Sequence, residues 1–112
     1  MLTVKRLPEF DDWLGGLKDG MTRIRLARRL DKVQRGLLGD VGPVGNGVSE
    51  MREHFGPGWR MYYTERNGMM IVMLGGGDKS TQQQDIARAV AELTAEHIVI
   101  VDESASGADL TR

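Results

Sequence analysis

Two β-rich runs, residues 59–65 and 69–74, are separated by Arg66-Asn67-Gly68. Asn and Gly both tolerate positive φ, which the tight I′ turn requires, so the two runs read as an antiparallel hairpin. A third run, residues 48–54, stands one short connection upstream, Phe55-Gly56-Pro57-Gly58. Together the three predict an antiparallel meander. On its middle strand Trp59, Met61 and Tyr63 alternate with Arg60, Tyr62 and Thr64. That alternation predicts one face packed on helices and the other open to solvent or a ligand.

Helical signals surround the meander. Pro8 suits the first turn of a helix, and Phe10, Trp13, Leu14 and Leu17 follow at helical spacing. Asp19-Gly20 interrupts, and a second helix is predicted over residues 21–37. Its apolar stripe is Ile24, Leu26, Ala27, Leu30 and Val33, and its other face is rich in arginine, Arg28 included. Residues 2–6 predict a short first strand. Residues 38–47, rich in glycine and carrying Pro43, predict a loop. Ser80 or Thr81 caps a third helix with Ile86, Ala89, Val90 and Leu93 on its apolar side. The fold class is therefore α+β: two N-terminal helices packed on a small antiparallel sheet, then a C-terminal helix and a tail. The domain spans residues 1–97. Residues 98–112 read as an acidic tail, an edge strand followed by disorder.

The formal charge is −1, but it is uneven: +2 over residues 1–93 and −3 over residues 94–112. A mild basic excess makes the placement of cations matter more than their number. Without cysteine there is neither a disulfide framework nor a thiolate metal site. No His/Asp/Glu cluster has metal-ligand spacing, so neither a metal nor a cofactor is expected. No apolar run reaches membrane-spanning length and no signal-peptide core opens the chain, which predicts a cytoplasmic protein with no membrane partner.

Residues 74–81 read LGGGDKST. A phosphate-binding Walker loop needs glycine directly before its lysine, where this chain has Asp78, and a glycine at the position of Met73. An acid inside the loop repels phosphate, so a nucleotide cradle is excluded. The lysine has another use. Arg52, Arg60 and Lys79 lie on or at the end of successive strands and can converge on one sheet face. Such a set suits a phosphodiester, whose charge rises in the transition state. His54 is the candidate acid or base. Trp59 and Tyr62 are candidates for stacking on RNA bases, Arg28 for meeting phosphates, and Gln82 for a polar contact at the same face. Arginines on strands are usually solvated or ion-paired, and aromatics at strand spacing are usually core.

In order along the chain, FDDWL, RIRLARRLDKVQRGLLGDVGPVGNGVSEMR, GPGWRMYY and LGGGDKSTQQQDIARA resemble the RelE/ParE toxins of bacterial toxin–antitoxin modules, over about residues 8–93. The likeness is greatest to the HigB-like branch of addiction-module killer proteins. The resemblance implies two helices on an antiparallel sheet and a metal-independent endoribonuclease that cuts mRNA on the ribosome. It implies attack by the 2′-hydroxyl, with Arg60 against the scissile phosphate and Arg52 and Lys79 as further basic residues. It also implies a small cognate antitoxin, often with a helix-turn-helix, through which any oligomer forms. The chain departs from the wider family in three ways. Residues 80–93 hold no tyrosine or histidine, leaving His54, Lys79 or Gln82 for proton transfer. The chain is nearly neutral, and its tail is acidic. Two alternatives stay open: a ParE-like inhibitor of DNA gyrase that cuts nothing, and a degenerate toxin that keeps only its antitoxin contact.

Overall fold

A computed structural model of the chain describes residues 1–96 and carries the backbone of the last helix on to Thr111. The elements are β1 (Thr3–Arg6), α1 (Pro8–Gly15), α2 (Gly20–Gln34), β2 (Val41–Gly45), β3 (Val48–Arg52), β4 (Arg60–Arg66), β5 (Met70–Gly77) and α3 (Gln82–Thr111). A 3-10 turn, Lys79–Thr81, precedes α3. The edge strand and disordered end expected within 98–112 are corrected as far as Thr111, where the backbone continues α3 as helix; Arg112 lies outside the described residues.

The fold is α+β. One five-stranded sheet runs in the order β1-β5-β4-β3-β2. Asn67 and Gly68 have φ of 58° and 65°, so the hairpin between β4 and β5 forms as its turn chemistry requires. Three expectations are corrected. The sheet is mixed, because β1 pairs with β5 in parallel, Thr3 opposite Met70 and Arg6 opposite Met73. The loop expected at 38–47 contains a strand: β2 pairs antiparallel with β3, and Asn46 and Gly47, both at positive φ, make their turn. Pro43 is tolerated because β2 is the sheet edge. The run read as 69–74 does not stop at Leu74; β5 continues through Gly77, which pairs with Arg60.

The helices lie on both faces of the sheet, which overturns the expectation of one open face. Phe10 and Leu14 of α1 and Leu26, Leu30 and Val33 of α2 pack on Met51, Met61, Tyr63, Ile71 and Met73. On the opposite face α3 lays Ala89, Ile86, Val90 and Leu93 over Leu7, Val48, Tyr62, Val72 and Leu74. Lys5 of β1 donates to Glu96 of α3 at 2.8 Å across that face. The middle strand is therefore buried on both sides from Arg60 to Thr64.

Local signals set the helix ends. Glu9 and Asp11 sit in the first turn of α1, where the helix dipole favours acids. Asp19 caps α2, accepting from Met21 N at 3.2 Å and from Thr22 Oγ1 at 2.9 Å. The helix closes with Gly36 N bonded to Val33 O and Leu37 N to Lys32 O, a Schellman end that stops it short of residue 37. The Asp78 carboxylate accepts from Ser80 N at 2.8 Å and starts the turn into α3.

Candidate active site

Sheet register brings the predicted arginines together. Arg52 of β3 lies opposite Arg60 of β4, and Arg60 opposite Gly77 of β5. Between the arginines stands Glu50, only 7% exposed. Its Oε2 accepts from Arg52 Nη1 at 2.9 Å, and its Oε1 lies 3.8 Å from Arg60 Nε. Gln82, at the start of α3, donates to Glu50 Oε1 at 3.3 Å. Asp85 lies over Gly77 so closely that a Cβ there would overlap its carboxylate, and Thr81 Oγ1 donates to it at 2.6 Å. The result is a buried polar row beneath α3. Sequence reasoning missed Glu50 and Asp85, which are 35 positions apart and both come near Tyr62 only because α3 packs over the sheet.

Arg60 is 4% exposed. Its Nη1 donates to the carbonyls of Glu53, at 3.1 Å, and Trp59, at 3.0 Å, and so ties together both ends of the loop 53–59. Its Nε is buried without a hydrogen-bond partner. Tyr62 is fully buried beside it and presents no ring face on which a base could stack, unlike the expectation for this residue. Among the described residues its hydroxyl makes no hydrogen bond of ordinary geometry, with Gln82 the nearby polar side chain. Burial, then the nearby Glu50 and Asp85 carboxylates, push the phenol up to about 12. Trp59 is half-buried and packs edge-on against Trp13 with centroids 6.3 Å apart, so it serves the core beneath α1.

His54 and Lys79 have a different setting. With Glu53, Gly56, Pro57 and Gly58 they line an open cleft of about 180 Å³. The His54 side chain is 70% exposed, and its Nε2 lies 2.7 Å from Asp40 Oδ2. Lys79 is exposed, and its stem crosses Gly58 so closely that a Cβ there would come within 3.0 Å of it. The GPG turn therefore does need its second glycine, both for that approach and for a φ of +80°.

A second cleft of about 210 Å³, lined by Arg25, Arg28, Arg29 and Lys32 of α2, adjoins the first at Glu53. Arg28 is exposed there. Arg29 instead serves the scaffold: it donates to the carbonyls of Leu38, Asp40 and Arg52 and to Glu53 Oε2. Arg25 lies 3.6 Å over the Phe55 ring, holding the residue after His54.

Arg52 is well occupied. Its Nε and Nη2 donate to Asp40 Oδ1 at 3.2 and 3.0 Å, its Nη2 also to Val41 O at 3.0 Å, and its Nη1 to Glu50. Asp40 and then Glu50 raise the Arg52 pKa further above its ordinary value. In turn Arg52, then His54, holds the Asp40 carboxyl down at about 2.

The molecule is thus an α+β protein with an arginine–carboxylate row beneath α3 and an imidazole–ammonium cleft outside. It is 38% identical over 88 residues to an uncharacterized protein of Haemophilus influenzae, a match spanning 79% of this chain and 89% of that one. The chain belongs to the same family as that protein. No family model matches it, and no solved structure does. Among the described residues no helix is long and apolar enough to cross a membrane.

Proposed function

We propose that this chain is a RelE/ParE-type toxin, of the HigB-like branch, that cuts mRNA on the ribosome in the cytoplasm. The observation that carries this reading is the cleft in which an exposed imidazole and an exposed ammonium stand beside a basic helix face. Phosphodiester cleavage needs a base for the 2′-hydroxyl, a cation for the crowded phosphoryl oxygens and a proton for the leaving oxygen. With Nε2 turned to Asp40, His54 Nδ1 is the ring nitrogen left to take the 2′-hydroxyl proton. The 2′-oxygen then bonds phosphorus as the bond to the 5′-oxygen breaks. Lys79 lies against the non-bridging oxygens, and solvent in the open cleft protonates the departing 5′-oxygen. Arg60 acts from behind by closing the loop 53–59. Arg28 and its neighbours on α2 carry the flanking phosphates. A cognate antitoxin is the partner this role requires.

One observation favours a second reading, gyrase inhibition without cutting: Arg52, which resembles a family phosphate contact, is taken up by Asp40 and Glu50. Induction of the chain, with translation, DNA synthesis and mRNA 5′ ends followed together, separates the two. Cleavage predicts new 5′ ends as translation stops. Intact mRNA with halted DNA synthesis would replace it with the gyrase reading.

A further inference from the structure

The contacts of Arg52, Asp40 and His54 form one chain of alternating charge. It begins at buried Glu50, whose Oε2 holds Arg52 Nη1 at 2.9 Å. It continues from Arg52 Nη2 to Asp40 Oδ1 at 3.0 Å, and ends with Asp40 Oδ2 at 2.7 Å from His54 Nε2. We propose that Asp40 and His54 form a carboxylate–imidazole dyad, with Asp40 the positioning residue and Arg52 and Glu50 its anchor. The catalytic part of this proposal rests on the reading that His54 takes the 2′-hydroxyl proton.

Three features show that Asp40 is held rather than merely nearby. Its backbone carbonyl accepts from Arg29 Nη2 at 2.9 Å and from Arg52 N at 2.9 Å. Its other carboxylate oxygen takes two donors from Arg52. Gly42 leaves the space that Arg52 needs to cross β2, since a Cβ there would lie 2.9 Å from Arg52 Nη1. A residue held at its backbone carbonyl and at one carboxylate oxygen orients the ring that its other oxygen binds, and a ring held through Nε2 offers Nδ1 to the cleft. It also favours the imidazolium that forms when His54 takes a proton. Arg52 is then a clamp, and its resemblance to a phosphate contact has a different explanation.

The other charged groups facing His54 are Glu53 and Lys79 in the cleft and Arg52 behind Asp40. Glu53 favours the imidazolium, Lys79 and Arg52 oppose it, and among the described residues Asp40 is the charged group bonded to the ring. The pair is exposed, so salt weakens it and low ionic strength shows it best.

The test uses the full chain. Imidazole nitrogens are titrated by NMR at low salt in the wild type, Asp40→Asn and Arg52→Gln, with His54→Gln identifying the signal against His97. In Asp40→Asn, Nε2 of His54 should lose its preference for the proton, read from the imidazole nitrogen shifts. In the cleavage assay kcat should fall about tenfold with KM unchanged. Asp40→Glu should restore part of both, and Arg52→Gln should move both in the direction of Asp40→Asn. Imidazole nitrogen shifts that are unchanged in Asp40→Asn overturn the dyad. So does an active enzyme whose kcat is unchanged in Asp40→Asn while those nitrogen shifts move. If the wild type cuts no RNA, the cleavage reading fails and the NMR titration alone decides the dyad.

Discussion

Arg60 and Lys79 reach the same end of the sheet, yet the structure uses them oppositely. Arg60 sits 4% exposed, beside Glu50 and bonded to two backbone carbonyls, inside a polar row closed by α3. Lys79 stands in the open, its stem on Gly58, and lines a cleft together with His54. A cation in a low-dielectric interior must be matched by a carboxylate, and once matched it is no longer available to a substrate. A cation at a rigid, solvated turn keeps its charge for a ligand. Residue type alone did not separate the two; burial and partners did.

The sharpest way to break this comparison is to remove Glu50. Glu50→Ala leaves buried Arg60 without its carboxylate and should cost about 3–5 kcal/mol in urea unfolding. A change under about 0.5 kcal/mol would show the row to be solvated. Removing the cleft cation should do the reverse. Lys79→Ala should leave stability within about 0.5 kcal/mol while cleavage falls on the order of 100-fold. Gly77→Ala drives a methyl into Asp85, so thermal unfolding should show a loss of about 1–3 kcal/mol.

Tyr62 gives a smaller, pH-dependent effect. Its phenol is raised from 10.0 to about 12, chiefly by burial, and burial raises Tyr63 as well. The folded state therefore holds neutral phenols where the unfolded chain ionises. That stability is complete below pH 10 and declines as pH rises from 10 toward 12. Ultraviolet titration should show little tyrosinate at pH 10 until the chain unfolds. Tyr62→Phe should change stability by less than about 0.5 kcal/mol, because the hydroxyl it removes makes no hydrogen bond of ordinary geometry among the described residues.

Much of the fold was legible. Asn67-Gly68, the stripe on α2 and the stripe Ile86, Ala89, Val90 and Leu93 each named an element that exists. The same turn signal at Asn46-Gly47 went unread, because the glycines and Pro43 around it argue against a strand that only an edge position permits. The side taken by α3 was also hidden. Tyr62 and Thr64 look like a solvent face in alternation, and their burial depends on a helix that begins 20 residues after Tyr62. Among the site residues, His54, Lys79 and Arg60 were visible as types at strand ends. Asp40 was not, because it reaches His54 only through the β2–β3 hairpin that was read as loop.

The most direct test of the account is cleavage by the purified wild type, Lys79→Ala and His54→Gln on ribosomes programmed with one mRNA, with 5′ ends mapped and folding checked by thermal unfolding. The account predicts cuts by the wild type and their loss in both variants at unchanged stability. Either folded variant cutting at the wild-type rate would contradict it and move the chemistry away from the cleft.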